Sequence, residues 1–248
     1  EHTGNAQSSL TDSFDEAAAH RVPDVTFVID SFLARDRTAG DPFHERIDAS
    51  RIGVLGHSFG GMTAIGCAAG WAGAPPDPRV VAIAPISAVI DGDLQRDDRE
   101  SPNAGFTAEQ LAGVGVPVLL MGGTADVDVP IENNEIAFAQ LTASPRVVKV
   151  DIVGATHTHF ANVCAIGNLL IDAGIGPQSW PALGAAALVE PYEMSCTEGA
   201  FPIEEAIRLQ NLYVVSFFRR HLLGERGYDR FLSADYAAAE PAILFAAR

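Results

Sequence analysis

The stretch Arg51-Ile-Gly-Val-Leu-Gly-His-Ser-Phe-Gly-Gly61 (RIGVLGHSFGG) changes character in the middle. Its first half is an aliphatic run that reads as a fully buried strand. The residues after it, MTAIGCAAG (62–70), are small and suit a helix that packs closely. A serine in G-x-S-x-G between such a strand and such a helix has a mechanical meaning: the tight turn exposes the Ser58 hydroxyl above the sheet. Gly56 and Gly60 are expected to keep side chains from colliding at the turn, with Gly61 adding room. The helix N-terminus supplies positive potential, and the backbone N–H of Phe59 is placed to meet a developing oxyanion. Ser58 is therefore read as a nucleophile.

A serine hydroxyl is a weak nucleophile until a base takes its proton. With this elbow the expected chain order is serine, acid, histidine. The acid belongs in the loop after a later strand. VPVLLMGG (116–123) ends in Thr124-Ala125-Asp126-Val127-Asp128, and either aspartate suits. Asp126, just beyond the strand, is preferred, leaving Asp128 as a turn or capping residue. The strand RVVKVDIVG (146–154) runs into Ala155-Thr156-His157-Thr158-His159-Phe160. His157 is the preferred base and His159 a neighbour that shapes the pocket. His57 is assigned to packing, with its side chain pointing away.

The rest of the chain alternates strands and helices. PDVTFVIDSFLARD reads as a helix opened by Pro23. VVAIAPISAV (80–89) is a second buried strand, TAEQLAGV a short helix capped by Thr107, and IENNEIAFAQL (131–141) a further helix. RVVKVDIVG alternates and is expected nearer the sheet edge. From Cys164 to Ala200 the pattern loosens into an expected loop-rich excursion over the carboxyl edge of the sheet, where such folds place ligands. Pro202 opens a long helix ending before Gly224. The pattern predicts one α/β domain over residues 1–248 with a largely parallel sheet.

Composition removes several function classes. Thirty-two acidic against sixteen basic residues give a net charge of −16, which repels nucleic acid and anionic membrane surfaces. No apolar run is long enough to span a bilayer, so no stable membrane insertion is expected. Of the three cysteines, Cys67 lies in the small-residue helix and reads as a buried, inert thiol. Cys164 and Cys196 lack metal-ligand spacing and are read as a disulfide, which points to a secreted or periplasmic protein. The acidic cluster Asp91, Asp93, Asp97, Asp98 and Glu100 lacks the spacing of a calcium loop and reads as solvated, so no metal is expected.

The stretches RIGVLGHSFGG, PVLLMGGTADVDVP and GATHTHF resemble the α/β-hydrolase superfamily. The likeness is to its dienelactone-hydrolase-like and platelet-activating-factor-acetylhydrolase-like esterases, and it runs over most of the chain. It implies Ser58 as nucleophile, Asp126 as acid, His157 as base, and ester hydrolysis without a cofactor. Phospholipid acyl esters, polyesters and, less well, peptides are alternative substrates. A catalytically incomplete hydrolase-fold binding module is the alternative of another class. Trp180, Phe160 and the 164–200 excursion are candidates for an apolar acyl or alcohol pocket, or else for core packing.

Two departures carry expectations. Dienelactone hydrolases proper have cysteine at the nucleophile position, so Ser58 moves the reading toward carboxylesterases. Relatives also carry about a hundred residues and several strands before the nucleophile, whereas here 57 residues precede it. The opening His2-Thr3-Gly4-Asn5 resembles the loop after their fourth strand. The N-terminal strands of the fold are therefore expected to be missing from this chain, leaving strand 51–57 unpaired on one side. An N-terminal segment of about 80–120 residues, continuous with this sequence or cleaved from it and still associated, is expected to complete the sheet and supply the second oxyanion donor.

Overall fold

The computed structural model describes residues 2–6, 9–95 and 101–248. In chain order the elements are β1 (Asn5–Ala6), β2 (Ser9–Leu10), α1 (Phe14–Asp36), β3 (Ile52–His57), α2 (Phe59–Ala69) and β4 (Val80–Ile86). There follow α3 (Ala108–Ala112), β5 (Val118–Gly123), α4 (Glu132–Gln140), β6 (Val147–Ile152) and α5 (Val163–Asp172). The chain continues with α6 (Val189–Cys196), α7 (Ile203–Leu223), α8 (Ala234–Ala237) and β7 (Ile243–Ala247). β1 and β2 form a small antiparallel pair of their own.

The main sheet has the order β3-β4-β5-β6-β7. Its first four strands are parallel and β7 runs antiparallel to β6. β3 is the outer strand, and its far edge has no partner strand among the described residues. Leu55 on it is half exposed.

Alternation along the strands divides the core into two layers. Ile83, Val118, Leu120 and Val147 pack toward α1, α2 and α4. Ala82, Ala84, Leu119, Met121, Val148 and Val150 pack toward α7. That helix buries Leu209, Tyr213 and Phe217, spaced by four residues and so lying on one stripe. Each such side chain contributes about 1.5–3 kcal/mol by leaving water.

Several expectations change. α1 does not open at Pro23; it starts nine residues earlier with a capping box. Ser13 Oγ accepts from the Glu16 N–H, and the Glu16 carboxylate accepts from the Ser13 N–H. The S-x-x-E pattern was present in the sequence. Pro23 is tolerated in mid-helix on an exposed face.

β6 lies near the sheet edge, as expected, next to the outer strand β7, yet every residue in it is buried. Its alternating polar positions, Lys149 and Asp151, form an internal ion pair at 2.8 Å. Asp151 Oδ1 also accepts from Asn134 Nδ2 at 2.7 Å, and Lys149 is paired with Glu135, both on α4. Partners on a covering helix replace water, so alternation here does not mean exposure.

The 164–200 excursion is largely helical. α5 and α6 flank short 3₁₀ turns, and Gly167 allows close approach: a Cβ there would lie 2.2 Å from the Tyr192 ring. Trp180 is fully buried, donates to the Ile175 carbonyl at 2.9 Å and meets Tyr192 edge-on. It is the core of this subdomain. The expected Cys164–Cys196 disulfide is present, joining the start of α5 to the end of α6. Among the described residues no helix is long and apolar enough to cross a membrane.

Lys149→Met should destabilise the fold by about 3–5 kcal/mol, because Asp151 would stay buried without its cation. The double variant with Asp151→Leu should recover much of that loss in urea titrations. Replacing Cys164 and Cys196 by serine should cost about 3–4 kcal/mol, from the 32-residue separation closed by the bridge. Peptide mapping without reduction should recover the two cysteines linked and Cys67 free.

Candidate active site

The elbow is built on backbone contact. Ser58 has φ 57° and ψ −122°, a strained conformation for a residue with a side chain. Its N–H donates to the Ile86 carbonyl at the end of β4 (2.9 Å), pinning the turn to the sheet. A Cβ on Gly56 would lie 2.0 Å from the Gly60 carbonyl oxygen. A Cβ on Gly61 would come within 2.9 Å of the Ile86 carbonyl. A Cβ on Gly60 would meet open space, so two glycines are required sterically, and they are Gly56 and Gly61.

Phe59 follows at the first position of α2 and is held on several sides. It stacks on Phe14 at 5.1 Å, meets Trp71 edge-on at 5.6 Å, and lies under the Arg21 guanidinium at 4.1 Å. The residue carrying the candidate oxyanion N–H is thus anchored by the aromatic cluster of the α1–α2 layer.

The loops carrying Asp126 and His157 leave adjacent strands and are stitched together. Thr124 N–H donates to the Ile152 carbonyl, Ala125 N–H to the Ala155 carbonyl, and Gly154 N–H to Thr124 Oγ1. Gly123 packs so tightly on Ala155 that a Cβ would stand 2.1 Å from its carbonyl oxygen. On this frame Asp126 Oδ2 and His157 Nδ1 are 2.8 Å apart. The Asp126 carboxylate is fully buried. Its Oδ1 accepts from the N–H groups of Asp128 (3.0 Å) and Val129 (2.8 Å). With Nδ1 committed to the carboxylate, Nε2 is the ring nitrogen of His157 left for a proton.

Ser58 and His157 open onto one cavity of about 530 Å³. Its apolar wall is Phe14, Phe59, Met62 and Val89, with Asn5, Gln95 and Asp128 among its polar groups. Of the two readings of Trp180 and Phe160, core packing holds: Trp180 is inside the excursion and Phe160 is buried against the α7 layer. Phe14 and Asn5, more than forty residues before the nucleophile, escaped the sequence reading because nothing local ties them to Ser58. Asp128, expected in a turn, does supply a turn N–H and is also exposed at the cavity.

The two histidines of the base loop are separated by their partners. His159 is buried, accepts from the Thr156 N–H at 2.9 Å through Nδ1, and donates from Nε2 to the Phe201 carbonyl at 2.9 Å. Burial lowers its pKa, so it serves as a neutral structural cross-link. Thr156 and Thr158 both hydrogen-bond Ser195 Oγ on α6, next to Cys196. The excursion therefore clamps the loop that carries His157.

His57 is packed, as expected, but not away from the site. Its ring lies 4.4 Å from that of His157, tilted by 42°, and 6.1 Å from Phe160.

Asp126, Asp128 and His157 also bring ligand-type atoms within 4.8 Å of one another. The direct Asp126–His157 hydrogen bond and the two N–H groups engage both oxygens of the Asp126 carboxylate. In the acidic loop, Asp91 accepts from the Asp93 N–H as a local cap; Asp97, Asp98 and Glu100 lie outside the described residues. Burial pushes the Cys67 thiol up to about 12, which makes it unreactive.

Gly56→Ala should destabilise the fold by about 1–3 kcal/mol through forced separation of β3 and α2. Gly60→Ala should cost less than about 1 kcal/mol, since its Cβ meets nothing. Thermal melts of the two variants check this ranking, and equal losses would contradict the steric assignment.

No protein-family model matches this chain, and neither does any curated protein.

Proposed function

We propose that this protein is a serine hydrolase of carboxylic esters, with an α/β-hydrolase-type site working through an acyl-enzyme. The observation that carries the reading is one constellation: Ser58 on a strained strand-to-helix turn shares a cavity with His157, which is bonded to the buried Asp126. Strain at that position, a buried carboxylate and a half-buried histidine are costly together unless the arrangement is used.

In this reading His157 Nε2 takes the Ser58 proton as Oγ attacks the ester carbonyl. Asp126 keeps the proton on Nδ1 and stabilises the imidazolium that forms. The Phe59 N–H, at the start of α2, donates to the tetrahedral oxyanion. The imidazolium then protonates the departing alcohol. Water, deprotonated by the same nitrogen, cleaves the acyl-serine and restores the free enzyme. The apolar wall of the cavity suits a short to medium acyl or alcohol group; phospholipid and polyester substrates are variants of the same chemistry. The disulfide favours work in an oxidising compartment, outside the cell or in a periplasm.

Ser58→Ala should lower kcat toward a short-chain nitrophenyl ester by at least about 10⁴-fold, with the fold retained. His157→Ala should be comparably severe. His159→Ala should act mainly on stability, because it leaves the Thr156 and Phe201 groups unpaired. Stoichiometric labelling of the wild type by a fluorophosphonate, absent in Ser58→Ala, would support the assignment. A wild type that neither labels nor turns over any ester in a panel graded by acyl length would leave a binding module.

A further inference from the structure

The ring contact between His57 and His157 has no part in the proton transfers just described. It is nevertheless the closest aromatic contact of the candidate base, at 4.4 Å between centroids. His57 is the last residue of β3, so its backbone is held by pairing with Ile86 and by the turn pinned at Ser58. Phe160, on the same 3₁₀ turn as His157, closes on it from a second direction. Its Nε2 is buried and has no hydrogen-bond partner among the described residues. What His57 offers its neighbour is therefore the ring and not a hydrogen bond from that nitrogen.

Resting on the esterase reading of this site, we propose that His57 is a positioning residue. Its neutral ring holds the His157 imidazole in the rotamer that keeps Nδ1 on Asp126 and Nε2 toward Ser58.

The geometry supplies the means. Asp126 fixes one edge of the His157 ring, but one hydrogen bond leaves rotation about it free. The His57 ring, tilted by 42° with its centroid 4.4 Å away, stands in the path of that rotation and restricts it. Adjacent position in the chain couples the two reacting groups: His57 and Ser58 are neighbours on one rigid strand end, so the base is registered against the nucleophile by the same backbone. The arrangement also requires His57 to carry no charge when His157 becomes an imidazolium. Burial, and then the neighbouring His157, lowers the His57 pKa to about 4, which satisfies that requirement at neutral pH. The Asp126 charge and a hydrogen bond to the His157 backbone pull the other way, more weakly.

Two substitutions separate ring from polarity. His57→Phe keeps a flat ring and removes the nitrogens; His57→Gln keeps polar groups and removes the ring. The expected result is a kcat loss of about 10–100-fold for His57→Gln, with KM within about threefold, as for a misplaced catalytic group. By the same argument His57→Phe should stay within about fivefold of the parent. Equal kcat in all three proteins, or a loss in His57→Phe with none in His57→Gln, would overturn the proposal.

A second measurement does not depend on turnover. In the Ser58→Ala background, the downfield Nδ1 proton of His157 should be seen by NMR both with His57 intact and in His57→Phe. It should broaden or vanish in His57→Gln. An unchanged signal in His57→Gln would sink the positioning role, even in an active esterase. A lost signal in a chain without esterase activity would keep the positioning role and sink the esterase reading instead.

Discussion

The turn at Gly56–Ser58–Gly60 is the contact on which the rest of the site depends. Strand β3 and helix α2 meet there backbone to backbone, and the cost is a strained φ at Ser58. What holds the strain in place is ordinary: a parallel ladder to β4, the Ser58 N–H on the Ile86 carbonyl, and a helix anchored through Phe59 to Phe14 and Trp71. If the strand and helix moved apart by the width of one methyl group, the serine would relax and the helix N-terminus would no longer sit beneath it.

The other two members of the constellation reach the same place by a different device. Their loops leave β5 and β6, neighbours in register, and are bonded to each other before they are bonded to anything else. The carboxylate–imidazole contact is thus decided by a few ångströms of shared backbone. The excursion adds a second hold on the base loop through Ser195, and the Cys164–Cys196 bridge keeps Ser195 in position. The placement of His157 and the disulfide are linked in this fold, although the bridge itself lies outside the cavity.

Much of this was legible along the chain because it is local. A strand, a glycine-flanked serine and a small-residue helix lie within twenty consecutive residues, and each loop that follows a buried strand announces its titratable group. Asp126 and His157 are the two that meet, at 2.8 Å, each in the loop that follows a buried strand. The walls of the cavity were not legible. Phe14 and Asn5 come from the first helix and the β1–β2 pair, and only the packing of α1 on α2 brings them to Ser58.

By itself the sequence determined the strand–helix alternation and the strained turn at Ser58, because short-range sterics and periodicity govern both, and it offered Cys164 and Cys196 as a pair by their spacing. The tertiary structure alone decided burial and partnership. Lys149 and Asp151 look like a solvent face until α4 supplies Asn134 and Glu135. Pro23 looks like a helix start until the Ser13 cap places it in mid-helix. β7 pairs with β6 from the far end of the chain and covers the side of β6 that would otherwise be open. His57 looks set to point away from the site until the 155–160 loop brings His157 against its ring. In each case a contact between residues distant in sequence reverses the local preference, because the free energy of burial belongs to the assembled layers and not to any one segment.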